Sequence, residues 1–208
     1  NAILKPRQVG ASTFFLGIGH ACAWTPPNLN MLVVSHLDAT PARIRETCEN
    51  WVTWLNEHHG AGIVIGRNNA NELEFPAMNS RIYFGTSGTK GVGRSSTIHI
   101  ALLTEVAYWQ GTEYGGIIES MPDNGVVFTE STPNGGSGQF YNLYHEPNSY
   151  VKHFYPWFIE PSRTIDIGDM QLTYNEEEAL LVTRYGLTKH QIAWRRWKIA
   201  ADCGGDVD

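Results

Sequence analysis

Charge and cysteine are both scarce in this chain. Only 17% of its 208 residues are Asp, Glu, Lys or Arg, and acids outnumber bases 21 to 15, for a formal net charge of -6. That balance excludes a protein that coats nucleic acid over its whole surface, while leaving room for a local basic patch. The three cysteines, Cys22, Cys48 and Cys203, are odd in number, far apart and without CxxC spacing. They support neither a disulfide framework nor a zinc knuckle, and a reducing compartment is the simplest expectation. Apolar runs fall far short of the roughly 18 to 20 residues that span a bilayer, and no basic flank leads into an apolar signal core, so a soluble, non-secreted chain is expected. Repeats and low-complexity tracts are missing too. His58 and His59 end a helix, and His20, His36, His99, His145, His153 and His190 are scattered, which argues against a transition-metal site.

What is present is enough apolar material, 42% with 12% aromatic, to bury the core of one large domain, or of one domain with a small appendage. Met31-Leu32-Val33-Val34, Ile98 to Leu103 and Val126-Val127-Phe128-Thr129 are continuous apolar runs, the pattern of strands covered on both faces. Ala2-Ile3-Leu4 reads as a further strand and Tyr150 to Phe158 as one that closes the sheet. Helices are expected from Ser12 to Ala23, from a Thr40-Pro41 cap to Gly60, and from about Gly138 to His145. Glu72 to Phe75 and Arg81 to Phe84, around Asn79-Ser80, make a hairpin with alternating faces. Strands separated by helices predict an α/β fold with a mostly parallel sheet and helices on both faces. After about residue 160 the strand signals vanish. Thr173-x-x-Glu176 and Thr188-x-x-Gln191 have capping-box spacing and Gly186 sits at a helix stop, so 161–208 is expected to be a helical appendage or linker following a 1–160 core.

Three segments carry chemistry. Lys5-Pro6-Arg7-Gln8-Val9-Gly10-Ala11-Ser12-Thr13 joins a short strand to a helix, where successive backbone N–H groups and a helix N-terminus converge on an anion. A phosphate-binding loop usually has Lys immediately before its Ser/Thr. Here that position is Ala11, and Lys5 at the start of the turn, with Arg7 close behind, is the cation able to reach β- and γ-phosphate oxygens, while Ser12 is placed to ligate Mg²⁺. Read alone, the same stretch is also an ordinary connection. Second, the buried strand ending at Leu103 runs into Thr104-Glu105, which sets a carboxylate in the ligand crevice of an open α/β sheet, unless it merely caps the next segment. Third, Thr129-Glu130-Ser131-Thr132-Pro133-Asn134-Gly135 ends another strand with short hydrogen-bonding side chains that can sense a γ-phosphate, although Thr-Pro-Asn-Gly is also simply a good turn.

In this order and spacing the three segments resemble the ATPase domain of the large terminase subunit of tailed bacteriophages, the motor that packages DNA into procapsids. Lys5-x-Arg7-Gln8-x-Gly10-x-Ser12 is similar to that family's deviant Walker A, Leu102-Leu103-Thr104-Glu105-x-Ala107 to its Walker B with the glutamate that activates water, and Ser131-Thr132-Pro133-Asn134-Gly135 to its coupling motif. Leu187-Thr188-x-x-Gln191-Ile192-x-Trp194-Arg195-Arg196 is similar to the end of the domain in one branch.

The resemblance implies a RecA-like P-loop NTPase of the additional-strand class that takes ATP and Mg²⁺. ATP would sit on Lys5, Arg7, Gln8, Val9, Gly10, Ala11, Ser12 and Thr13, and Mg²⁺ on Ser12 and, through water, Thr104. Glu105 would activate water, and Ser131, Thr132 and Asn134 would couple nucleotide state to movement. It also implies a homomeric ring docked on a portal protein in the infected bacterial cytoplasm, with double-stranded DNA and the small terminase subunit as partners. Arg94 matches the arginine finger given to a neighbouring subunit, a group worth roughly 10³ to 10⁵ in rate, or else is a solvated loop charge.

The chain departs from that pattern where Thr104 stands in place of an Asp. The upstream adenine-binding segment and the downstream nuclease domain are also missing, so a fragment without nuclease activity is expected. A helicase-like, nucleic-acid-stimulated ATPase and a degenerate nucleotide-binding module of a prophage are the other readings. Arg184, Lys189, Arg195, Arg196 and Lys198, interleaved with Trp194 and Trp197, either contact DNA phosphates or belong to a helix whose tryptophans pack on the ATPase core while its arginines stay solvated or grip a neighbouring subunit.

Overall fold

The structure is a computed structural model that describes residues 1–36, 39–88, 96–110 and 113–202. The chain divides into two compact units, Asn1–Tyr155 and Pro156–Asp208. The boundary lies five residues before the expected one because the 3-10 turn Trp157–Ile159 belongs with the helices that follow: Trp157 stacks on Trp194 and Phe158 tilts against Tyr185.

The first unit is built on β1 (Ala2–Leu4), α1 (Ala11–Trp24), β2 (Asn30–Ser35), α2 (Ala39–His59), β3 (Asn68–Asn69), β4 (Glu72–Phe75), β5 (Ser80–Thr86), β6 (Ile100–Thr104), α3 (Glu113–Glu119), β7 (Val126–Ser131), α4 (Gln139–His145) and β8 (Lys152–Phe154). The strands form one eight-stranded sheet in the order β3-β4-β5-β2-β6-β7-β1-β8. Pairings from β5 through β8 are parallel, and β3-β4 and β4-β5 are antiparallel. The fold is therefore the expected mostly parallel α/β sheet, with β7 inserted between β1 and β6 as the additional strand. Among the described residues no helix is long and apolar enough to cross a membrane.

Burial explains why apolar runs, rather than alternation, mark the central strands. All of β6 and all of β2 except Asn30 are buried, because helices cover both faces of the sheet. On one face Ile3, Met31, Val33, Leu102 and Phe128 pack with Phe15 and Leu16 of α1 and Cys48 and Val52 of α2. On the other, Leu32, Val34, Ala101 and Leu103 pack with Tyr114 and Ile117 of α3 and Phe140 of α4. Each such fully buried side chain contributes about 1.5 to 3 kcal/mol relative to exposure. The hairpin strand β4, by contrast, buries only Leu73 and Phe75, alternating with partly exposed Glu72 and Glu74.

Local signals failed at three places. The two glycines of Glu-Tyr-Gly-Gly-Ile-Ile-Glu hide α3, which exists because Tyr114 and Ile117 are buried against the sheet. The helix α2 starts at Ala39, one residue before the expected Thr40-Pro41 cap, and its first turn tolerates Pro41 because no intrahelical partner for that nitrogen is needed there. In the second unit, α5 (Glu176–Tyr185) is capped by Asn175 and Glu178, not by Thr173 and Glu176. The Asn175 side chain accepts from the Glu178 amide at 2.8 Å while the Asn175 amide donates to the Glu178 carboxylate at 3.0 Å. Asn is the stronger cap, and Glu178 is already fixed by Arg196. The Thr188–Gln191 box at the start of α6 (Lys189–Asp202) and the left-handed Gly186 stop are as expected.

Candidate active site

The parallel strands β1, β6 and β7 end side by side, and each delivers its motif to the same edge. At the end of β1 the chain turns through Gln8 (φ 60°) and Gly10 (φ 73°) into α1. Phe14 makes the first helical bond back to Gly10, at 2.9 Å, which leaves the amides of Ala11, Ser12 and Thr13 at the helix N-terminus without helical partners. Arg7 and Gln8 are exposed on the outside of the turn, with Gly10 and Thr13, while Val9, Ala11 and Ser12 are half-buried. The turn is thus shaped to receive an anion.

Lys5 is buried inside it. Its ammonium lies 3.1 Å from Glu105 Oε1 and 3.0 Å from Glu130 Oε2, bridging the ends of β6 and β7. Glu105 follows β6 in the left-handed region at φ 54°, an uncommon conformation for a non-glycine residue and one that recurs at working sites. Its second oxygen, Oε2, accepts from the Thr132 amide at 3.1 Å, the Thr132 hydroxyl at 2.9 Å and, at the limit, the Ser131 hydroxyl at 3.5 Å. Burial pushes the Glu105 pKa up, but the Lys5 charge and the Thr132 and Lys5 hydrogen bonds outweigh it and hold the carboxyl below its ordinary range. The group is an ionised acceptor aimed at the crevice.

The third motif is wired to the second. Ser131 Oγ accepts from the Ala107 amide at 3.1 Å, Asn134 donates to the Ala107 carbonyl at 3.0 Å, and the Thr132 hydroxyl lies 3.3 Å from that of Tyr108. Ser131, Thr132 and Asn134 therefore grip the 3-10 turn Val106–Tyr108 that follows Glu105. The β7 loop and the Glu105 carboxylate are thus joined by direct hydrogen bonds.

Sequence reasoning missed Glu130. Its side chain is fully buried, it accepts from Ser12 Oγ at 2.7 Å and it faces Lys5. The available signal was a glutamate inside an apolar strand, since a charge is buried only where it is paired or useful. Glu130 pairs in register with Thr104 of β6 and Ile3 of β1, so all three share the face of the sheet that α1 covers. Thr104 is buried and lines, with Ser12, Thr13, Thr40 and Arg43, a cavity of about 490 Å³ between α1 and α2. Beside the turn the donors are all hard oxygens, from Ser12, Thr104 and Glu130, a set that suits Mg²⁺ and the similarly hard Mn²⁺.

The structure thus brings together Lys5, Ser12, Thr104, Glu105, Ser131 and Thr132. Arg94 lies outside the described residues. The basic residues of the second unit are each engaged within it. Arg195 pairs with Glu177 at 2.6 Å, Arg196 makes bonds of 2.7 and 2.6 Å to Glu178, and Lys189 reaches the Gly168 carbonyl at 2.6 Å. Arg184 and Lys198 lie over the Tyr185 and Trp197 rings.

No protein-family model and no curated protein matches the chain. Solved structures do. The chain is similar to the large terminase ATPase domain of Thermus phage P74-26, with 13% identity and a TM-score of 0.63 over 93% of this chain and 84% of that one. It is also similar to the large terminase of bacteriophage HK97, with 15% identity and a TM-score of 0.52 over 63% of this chain, spanning only 29% of that protein. At such identities the likeness is one of fold. The chain has the RecA-like fold of phage large terminase ATPase domains.

Proposed function

We propose that this chain is the ATP-hydrolysing motor domain of a large terminase, driving double-stranded DNA into a procapsid. The observation that carries this reading is the convergence of Lys5, Ser12, Glu105 and Thr132 from three adjacent parallel strands on one anion-receptive turn. ATP is the substrate. The amides from Gly10 to Thr13 and the Lys5 ammonium take its phosphates, with Arg7, Gln8 and Val9 forming the outside of the turn. Glu105, kept ionised and oriented by Thr132 and Ser131, accepts the proton of a water attacking the γ-phosphorus in line. Ser12, and Thr104 through water, would hold Mg²⁺, which would supply neutralisation of charge on the transferring phosphoryl group. Because Lys5 contacts the Glu105 carboxylate, drawing the ammonium toward a phosphate frees that carboxylate. Ser131, Thr132 and Asn134 pass the change to the turn beyond it.

The motor acts as a homomeric ring on a portal protein, with the small terminase subunit, in the infected bacterial cytoplasm, and takes DNA without regard to sequence. Arg94 serves a neighbouring subunit's nucleotide. The test is ATP turnover and DNA uptake by the full-length protein on portal-bound procapsids. Turnover tied to uptake is expected; strand unwinding without uptake would replace this reading with a helicase-like ATPase, and no turnover would replace it with a degenerate nucleotide-binding module.

A further inference from the structure

Ligand oxygens for a small, hard dication should include an anionic one, since Mg²⁺ is bound through one or two carboxylates together with substrate phosphates. Thr104, at the end of β6, offers only a neutral hydroxyl. The next strand supplies what it lacks. Glu130 is its in-register neighbour on β7, on the same face, about one strand spacing of ~4.8 Å away. Its carboxylate already touches the Ser12 hydroxyl at 2.7 Å, at the mouth of the phosphate-receptive turn.

The charges make the case stronger. Two carboxylates, Glu105 and Glu130, face a single ammonium, Lys5, so the cluster carries one excess negative charge. Glu130 is 0% exposed, and its Oε2 makes no hydrogen bond: the 3.0 Å contact to Lys5 is an ion pair without hydrogen-bond alignment. A buried carboxylate is tolerated only while compensated. Once Lys5 turns toward a phosphate, Glu130 keeps the Ser12 hydroxyl and nothing charged. With Lys5 gone the two carboxylates carry two negative charges, which a divalent cation beside Ser12 would neutralise and a monovalent one would only halve.

We propose that Glu130 is the metal-anchoring carboxylate of this site, so that the anionic ligand stands on β7 instead of at the end of β6. The assignment rests on the ATPase reading above. In it, Ser12 and Glu130 hold the dication directly and Thr104 orients a metal-bound water.

Mn²⁺ titration of the full-length chain with ADP, followed by the loss of the free-Mn²⁺ electron paramagnetic resonance signal, tests this without turnover. Wild type should bind Mn²⁺ in the ternary complex. Glu130→Gln should weaken Mn²⁺ at least tenfold while metal-free ADP affinity changes less than threefold. Adding Thr104→Asp to Glu130→Gln should recover most of the loss, because it returns a carboxylate to the same face one strand over. Equal Mn²⁺ affinity in wild type and Glu130→Gln would overturn the assignment. So would a metal-free ADP affinity falling as far as the Mn²⁺ affinity, which would make Glu130 a support for Lys5 alone. Absence of ADP binding by the wild type would remove the ATPase reading itself and the assignment with it. Should Glu130→Gln not fold, Fe²⁺ with ascorbate and peroxide on the wild-type ADP complex answers the same question. Backbone cleavage beside Glu130 and Ser12 is expected, and cleavage at 104–105 without any at Glu130 would overturn the assignment.

Discussion

Replacing Lys5 by Met removes the one ammonium that joins β1, β6 and β7 at the site. The perturbation is nearly isosteric, so its effect is electrostatic. At about 3 Å and an effective dielectric of about 20, each of the two ion pairs attracts by about 5 kcal/mol before the cost of desolvation is set against it. Most of that gross attraction is offset by desolvation in the intact protein. In the variant the attraction is lost and the desolvation cost remains, because Glu130 stays at 0% exposure with only the Ser12 hydroxyl for company. Breaking one side of such a buried pair costs about 3 to 5 kcal/mol, a large part of a typical domain stability of about 5 to 15 kcal/mol. Urea unfolding followed by far-ultraviolet circular dichroism should show the midpoint falling by about 1 M or more, given slopes of about 1 to 3 kcal/mol per molar. Lys5→Met with Glu130→Gln should then be more stable than Lys5→Met alone, since the orphaned charge is gone. A Lys5→Met loss under about 1 kcal/mol, or strictly additive losses in the double variant, would refute the reasoning.

Four further outcomes are expected. Burial lowers the His20 pKa to about 4, against a smaller opposing hydrogen bond with the Cys48 backbone, so the ring is neutral in the fold. Its contribution to stability is complete above pH 6.5 and lost as the pH falls toward 4, by about 3 kcal/mol, and thermal melts of His20→Phe should be flatter than wild type across that window. Glu105 is held below 4.5, so the destabilisation caused by Glu105→Gln should be full above about pH 4.5 and shrink as acid protonates the wild-type carboxylate, which melting from pH 6 down to 3 would check. Arg196→Met strips two charged hydrogen bonds from buried Glu178 and should cost about 1.5 to 3 kcal/mol, read by amide hydrogen exchange in α5 and α6. Gly10→Ala meets no atom within 4 Å but must hold φ at 73°, so it should cost about 1 to 2 kcal/mol in denaturant unfolding with no change elsewhere in the fold.

How much of this was legible before the structure depends on which forces decided each element. Met31 to Val34 and Ile100 to Leu103 announced themselves because a strand buried on both faces has few polar residues to spare. Gly10 and Gly186 were legible because their positive φ values require what only glycine supplies cheaply. The helix α3 was not, because two glycines erase its propensity and burial of Tyr114 and Ile117 restores it only in three dimensions. At the site, Lys5, Ser12, Glu105, Ser131 and Thr132 could be named from their positions at strand ends. What spacing could not reveal is that Lys5 grips Glu105, that Thr132 holds the other oxygen of the same carboxylate, and that Glu130 lies beneath both. Those are contacts across strands up to 125 residues apart in sequence, and they follow from strand order, which no local pattern encodes.

The central claim is that Glu105 is the base of an ATP-hydrolysing site, and single-turnover hydrolysis of bound ATP by wild type and Glu105→Gln tests it most directly. Glutamine keeps the shape but cannot take a proton, and its one carbonyl oxygen can accept from either Lys5 or Thr132. The account predicts ATP binding within a few-fold of wild type and a hydrolysis rate reduced by about 10² to 10⁴. Hydrolysis at the wild-type rate by Glu105→Gln, with ATP bound, would contradict it.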